Sequence, residues 1–201
     1  MADDVDLIEL IDVDPGIRRT GVASAEAAVA LAQTIGALPS LVFSGVQYYC
    51  GRQQHIEAYA ERRMEIVDRT EYLRTVIAAL TEAGFPPAII TGGGTGTHRI
   101  DIELGLLNEL QTGSYVFMDR QYNECDITGQ GTPSYDTSLL IDARVVSANT
   151  PGLGTIDAGF KAMATDGGPP TVLSGAPAGG AFHFMGDEHG LVLFGDVRSE
   201  E

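Results

Sequence analysis

Thr91-Gly92-Gly93-Gly94-Thr95-Gly96-Thr97 is the stretch whose reading decides the fold. It follows a short apolar run, Ala88-Ile89-Ile90, which reads as a strand after the breaker pair Pro86-Pro87. Four glycines and three threonines in seven positions pack poorly, so the expectation is a turn and not a core segment. Glycine lets backbone N–H groups approach an anion closely, and threonine hydroxyls add donors. At the C-terminal end of a strand such a turn is either a phosphate cradle or a plain flexible connection to the next helix. It is not a Walker A loop, because no Gly-Lys-Ser/Thr follows, and the G-x-G-x-x-G spacing is absent.

Working outward, the flanking segments alternate. Val5 to Val13 reads as a strand, and its mixed apolar pattern suits cover on both faces, as in a parallel α/β sheet. Ser24 caps a helix through Ala27, Ala28, Leu31, Ala32 and Ile35. Leu41 to Tyr49 is the second strand. A long helical stretch then runs from about His55 to Glu82, with Gly84 ending it. After the glycine loop come a short helix near Asp101 to Glu109 and a fourth strand, Ser114 to Asp119. Strand and helix in alternation mean a parallel sheet with crossover helices.

Beyond Gln121 the helices stop. Short runs at Leu139 to Val146, Gly154 to Ile156, Thr171 to Leu173, Phe182 to Met185 and Leu191 to Phe194 are punctuated by glycine and proline. They read as a small antiparallel β domain. The linker falls between about Glu124 and Pro133, through the loop Gly129 to Pro133, which gives domains 1–125 and 126–201.

The 201 residues carry a formal net charge of −16, with 44% hydrophobic and 20% charged residues. Nucleic acid and anionic membranes both need a basic face, so neither is expected as a partner. No apolar run approaches a membrane span, and Met-Ala-Asp-Asp lacks the basic start of a signal peptide. A cytoplasmic protein with Cys50 and Cys125 reduced is the expectation.

Three stretches together carry a resemblance. Asp14-Pro15-Gly16-Ile17-Arg18-Arg19-Thr20-Gly21-Val22 has the form D-x-G-x-x-R-x-G-V. Tyr49-Cys50-Gly51 ends a strand with Tyr-x-Gly. Glu109-Leu110-Gln111-Thr112-Gly113-Ser114-Tyr115 follows the glycine loop. This set resembles the fold-type III pyridoxal-phosphate enzymes of the D-threonine aldolase, 3-hydroxy-D-aspartate aldolase and D-serine dehydratase group. Asp157 to Ala162 and Gly186 to Gly190 look like the same family's β domain.

The resemblance implies the C-terminal half of an alanine-racemase-like (β/α)8 barrel, then a β domain. Ala88 to Thr91 would be strand 7 and Tyr115 to Asp119 strand 8, which puts the glycine loop where such barrels bind phosphate. It implies pyridoxal 5′-phosphate as cofactor, with a divalent metal in the full-length family. The hydroxyl of Thr95 and the N–H groups of Gly113 and Ser114 would hold the phosphate, beside Gly94. Tyr49 and Tyr122 would line ring and phosphate, and Arg19 would sit near the ring. Read without the resemblance, Tyr49 is a core aromatic, Arg19 a surface partner of Asp14, and Gly113 a tight turn.

The implied activity is retro-aldol cleavage of a D-3-hydroxy amino acid, by a homodimer. The alternatives are a D-serine dehydratase-type ammonia-lyase and a non-catalytic binder of phosphate or pyridoxal phosphate. The family's Schiff-base lysine lies on the first barrel strand. The one lysine here, Lys161, does not occupy that position and reads as a salt-bridged surface residue. No His-x-Cys or His-x-Asp follows His189, so no metal ligand is assigned, and His183 and His189 read as exposed hairpin residues. Four strand–helix units against the eight of a barrel of about 250 residues lead to the expectation of a fragment, inactive alone.

Overall fold

The structure, a computed structural model, describes residues 6–131 and 135–194. The expected strand start at Val5, the Thr132-Pro133 end of the linker loop and the tail 195–201 lie outside the described residues. The chain divides into two units, Met1–Met118 with Tyr122–Asp136, and Asp119–Gln121 with Thr137–Glu201. No described helix is long and apolar enough to cross a membrane.

In the first unit, β1 (Leu7–Asp12), β2 (Leu41–Tyr48), β3 (Ile89–Gly92) and β4 (Glu109–Leu110) form one sheet in the order β1-β2-β3-β4, every pair parallel. The crossovers are α1 (Ala25–Gly36), α2 (Tyr59–Glu82) and α3 (His98–Leu104). Right-handed crossovers between sequential strands place the helices on one face. Burial agrees: Ile11, Val13, Val46 and Tyr48 pack with Ala28, Ala32, Ile66, Leu73 and Val76. Strand alternation turns Asp12 and Gln47 to the opposite face.

Local chemistry sets the helix ends. The Ser24 hydroxyl accepts the Ala27 N–H at 3.2 Å, a cap worth about 1 kcal/mol. After α2, Gly84 sits at φ +87° and Phe85 N–H reaches the Leu80 carbonyl at 2.8 Å, the hydrogen bond that closes a glycine-ended helix. Phe85 then meets Phe43 edge to face at 6.1 Å. In the first turn of α2, fully buried Arg62 donates to the Ile56 and Asp126 carbonyls and so ties segment 126 to the helix start.

Five expectations need correction. The glycine loop is core: every residue from Thr91 to Thr97 is buried. The fourth strand is Glu109–Leu110, and Ser114–Phe117 is a 3-10 turn, because Tyr115 N–H donates to the Thr95 hydroxyl instead of to a ladder. Tyr115, Val116 and Phe117 are exposed despite their strand-like composition, and of that run only Met118 is buried. The third helix starts earlier, at His98, and ends at Gly105, which takes the left-handed conformation. The long helix begins at Tyr59, after a 3-10 turn at Arg52–His55. Finally, β1 is not covered on both faces along its length: Leu7 and Ile8 are 56% and 70% exposed, while Ile11 packs in the core.

The second unit is an antiparallel sheet, β5 (Val145–Thr150), β6 (Leu153–Ile156), β7 (Ala181–Phe184) and β8 (Gly190–Leu193), in the order β5-β6-β8-β7. The runs at Gly154, Phe182 and Leu191 form strands as expected. Thr171 to Leu173 does not, and Leu139 to Arg144 stays outside β5. Its core is thin: Ala158, Phe182 and Val192 are buried, and Phe184 stacks on Phe160 at 4.6 Å.

Candidate functional site

The C-terminal ends of the parallel strands carry a row of polar side chains. The Gln47 amide donates to the Asp12 carboxylate at 2.6 Å. The Gln111 amide donates to Gln47 Oε1 at 2.9 Å and to the Thr91 hydroxyl at 3.2 Å. One row therefore joins β1, β2 and β3 to the residue that follows β4, with Asp12, Gln47 and Thr91 in register.

Beyond this row lies the glycine loop, and its rigidity comes from buried Gln54. Gln54 Oε1 accepts the Gly96 N–H at 2.9 Å, while Nε2 donates to the Cys50 carbonyl and to the Thr97 hydroxyl. Thr97 Oγ1 also accepts the Gly94 N–H and donates to Asp101 Oδ2 at 2.7 Å. A methyl on Gly96 would stand 2.1 Å from the Gln54 carbonyl oxygen, so only glycine fits where these two backbones cross. Burial pushes the Asp101 carboxyl up to about 6, against the Thr97 hydrogen bond. Burial, with the Asp101 charge second, pushes the Cys50 thiol up to about 12.

Of the residues assigned to phosphate, the structure brings three together. Tyr115 N–H donates to Thr95 Oγ1 at 3.0 Å, which seats the turn Gly113-Ser114 beside the loop. That hydroxyl keeps its own proton to donate. Among the described residues, no group accepts the Gly113 or Ser114 N–H, and both residues are exposed. Space is open where a Gly113 Cβ would stand. Two free N–H groups and a hydroxyl proton fit a phosphate end. Gly94 differs: its N–H already donates to Thr97, and its Cα face lies against the Gln54 side chain.

Arg19 is exposed, and its charge acts on half-buried Tyr49, opposing the burial that raises the Tyr49 hydroxyl. Tyr122 is buried with Met118, Cys125 and Ile127, its ring 4.6 Å from that of His55. Lys161 lies in the second unit, exposed, 2.6 Å from Glu188 and 3.9 Å from Asp187. His183 and His189 are exposed. Among the described residues, no three His, Cys, Asp or Glu side chains converge as a metal would need.

Sequence reasoning missed Asp12, Gln47, Gln111, Gln54, Thr97 and Asp101. Gln47, a lone amide in an apolar strand, was a usable signal. So was Asp101, one helical turn after Thr97. Gln54 had none, because its partners in the glycine loop, Gly96 and Thr97, lie over forty residues away.

Residues 138–200 match the family model described as "Putative serine dehydratase domain". The chain is 34% identical over 185 residues to the 3-hydroxy-D-aspartate aldolase of Paracoccus denitrificans (strain Pd 1222), covering 90% of this chain and 47% of that protein. It is 37% identical over 185 residues to a D-threonine aldolase from Arthrobacter sp., covering 91% and 47%. Among solved structures, the D-threonine aldolase from Filomicrobium marinum superposes with a TM-score of 0.87 at 31% identity, over 94% of this chain and 50% of that one. Alanine racemase from Corynebacterium glutamicum shares the fold, with a TM-score of 0.61 at 13% identity, over 96% and 54%. The chain spans about half the length of the curated relatives it matches. The family resemblance carried by its motifs stands. So does the expected fold, half of an alanine-racemase-like barrel followed by an antiparallel β domain.

Proposed function

We propose that this chain is the phosphate-binding half of a pyridoxal-phosphate lyase that cleaves D-3-hydroxy amino acids. The observation that carries the reading is the free Gly113 and Ser114 N–H pair, held beside the Thr95 hydroxyl by the Tyr115 hydrogen bond. Thr95, Gly113 and Ser114 hold the phosphate, and the Gln54–Thr97–Asp101 network keeps Thr95 in place without help from solvent. Arg19 would hold the ring side of the cofactor, where its charge would disfavour protonation of the ring nitrogen. When bound, the cofactor supplies an electron sink for the pair released as the carbon–carbon bond breaks. Tyr49 and Tyr122 wall the site against water.

Lys161 takes no part. Its Nζ is ion-paired to Glu188 at 2.6 Å in the second unit, and this reading gives it no bond to the cofactor. The proposal likewise gives this chain's residues no role in holding a metal. A dehydratase acting on D-serine is the second reading, favoured by the family match over residues 138–200. The partners under this reading are a small D-amino acid and a second copy of the chain.

Titrating pyridoxal 5′-phosphate and pyridoxal into the chain, with absorbance as readout, tests the reading. Saturable binding that needs the phosphate, with no borohydride-stable adduct on Lys161, is expected. Equal binding of both compounds would overturn the cradle, and an adduct on Lys161 would return that residue to the chemistry.

A further inference from the structure

The cofactor reading uses only Arg19 of the loop after β1, and leaves the rest of that loop's geometry without a role. Asp14 Oδ1 accepts the Gly16 N–H at 2.9 Å and the Arg18 N–H at 3.0 Å, which curls the loop. Val13 pairs with Val22 and closes its base. Inside the curl, Arg18 sits at φ +60°, the one non-glycine residue in the left-handed region among the described residues. Arginine gains nothing local there, since asparagine or glycine adopts that conformation at less cost. Strain of this kind collects where the side chain it aims has a task.

The task is visible in the surroundings. An open cleft of about 620 Å³ is lined by Asp14, Gly16, Arg18, Arg19, Arg69 and Tyr72, among others. Neither the Arg18 nor the Arg19 guanidinium makes a hydrogen bond or ion pair among the described residues, in a chain with 28 acids. Arg69 reaches under the loop, its Nη1 3.3 Å from the Pro15 carbonyl, and its buried Nε has no partner. The Asp14 carboxylate is held below its usual range, chiefly by the Arg18 N–H and only in small part by the Arg18 charge, and Asp68 and Glu65 lie on the far nitrogen of Arg69 at 3.3 and 4.0 Å. Planar guanidinium groups in a concave site match a carboxylate in bidentate fashion.

We propose that this cleft is a carboxylate-binding subsite for a small dicarboxylate, with Arg18 as its principal contact. Two sources share that chemistry: a free dicarboxylate, and the distal carboxylate of a 3-hydroxy-aspartate. The subsite does not rest on the cofactor reading, and it is read from different amides.

The test is an NMR titration of the chain with succinate, following the Gly16 and Gly21 amides. Arms with 3-hydroxy-D-aspartate, D-threonine, inorganic phosphate and chloride at matched ionic strength run alongside. Arg18→Gly is the decisive variant, because glycine keeps the left-handed loop and removes the side chain with its guanidinium. Succinate should saturate, D-threonine and chloride should not, and Arg18→Gly should weaken succinate by about fivefold or more, a discounted value for an exposed charge-assisted contact. The melting temperature of that variant should hold or rise. Tighter binding of 3-hydroxy-D-aspartate than of succinate would assign the subsite to substrate, and the reverse to a free dicarboxylate. Three outcomes overturn the proposal: no saturation by succinate, equal affinity in Arg18→Gly, or tighter binding of phosphate than of succinate at the same amides.

Discussion

The loop after β3 buries every residue from Thr91 to Thr97, whereas the loop after β1 leaves Gly16 and Arg18 through Gly21 exposed. Both lie at the C-terminal ends of parallel strands, where ligands of such sheets bind. The first is fixed by a buried side-chain network, Gln54, Thr97 and Asp101. The proposed function joins its Thr95 hydroxyl to the exposed N–H groups of the neighbouring turn, Gly113-Ser114. The second loop is fixed by one carboxylate, that of Asp14, and keeps its arginines free. The contrast teaches that a glycine-rich loop need not itself be the anion cradle. Under the proposed function it is the rigid post beside the cradle, lending it the Thr95 hydroxyl.

That comparison can be broken at four points. The largest effect is expected from Gly96→Ala, which drives a methyl into the Gln54 backbone. A loss of about 2–3 kcal/mol in urea unfolding should follow, and an unchanged midpoint would mean the loop is softer than its burial implies. Gln54→Leu strands the Gly96 N–H and one Thr97 contact, with an expected cost of about 1–3 kcal/mol. A cost near zero would remove Gln54 as the post.

Asp101 gives the pH dependence. Its carboxyl titrates at about 6 in the folded chain because of burial, and near 4 when unfolded. The folded state holds the proton longer, so stability should fall as pH rises from about 4 to about 6 and stay lower above that, by on the order of 2–3 kcal/mol. Asp101→Asn should flatten this slope and melt higher than the parent at pH 8. Parallel pH profiles for the two proteins would contradict the assignment. The smallest effect belongs to the other loop. Arg18→Gly should gain a few tenths to about 1 kcal/mol by relieving the left-handed arginine, where the same glycine logic in the buried loop has no slack at all.

How much of this was legible in the sequence varied by residue. The alternation of apolar runs and helices, the Ser24 cap and the Gly84 stop follow from short-range chemistry, and each stands in the structure. Tyr115-Val116-Phe117 misled because strand propensity describes a half-buried pleat, and here the Thr95 hydroxyl captures the Tyr115 N–H first. The glycine loop misled for the opposite reason. Small residues do not fill a core, but they let other groups into it, and Gln54 enters from forty-two positions away. Such a contact leaves no local trace. The resemblance singled out Thr95, Gly113 and Ser114, and in the structure the Tyr115 hydrogen bond sets the Gly113-Ser114 turn beside Thr95.

The most direct test of the central claim is pyridoxal 5′-phosphate affinity in Gly113→Val beside the parent chain. Nothing stands within 4 Å of where the new Cβ would lie, so the variant should fold with an unchanged melting temperature while its side chain occupies the cradle. The account predicts a fall in affinity of roughly ten- to a hundredfold, the worth of a charge-assisted contact that the side chain blocks, with pyridoxal lacking the phosphate unaffected. Unchanged phosphate-dependent affinity in a folded Gly113→Val chain would contradict it and place the phosphate elsewhere.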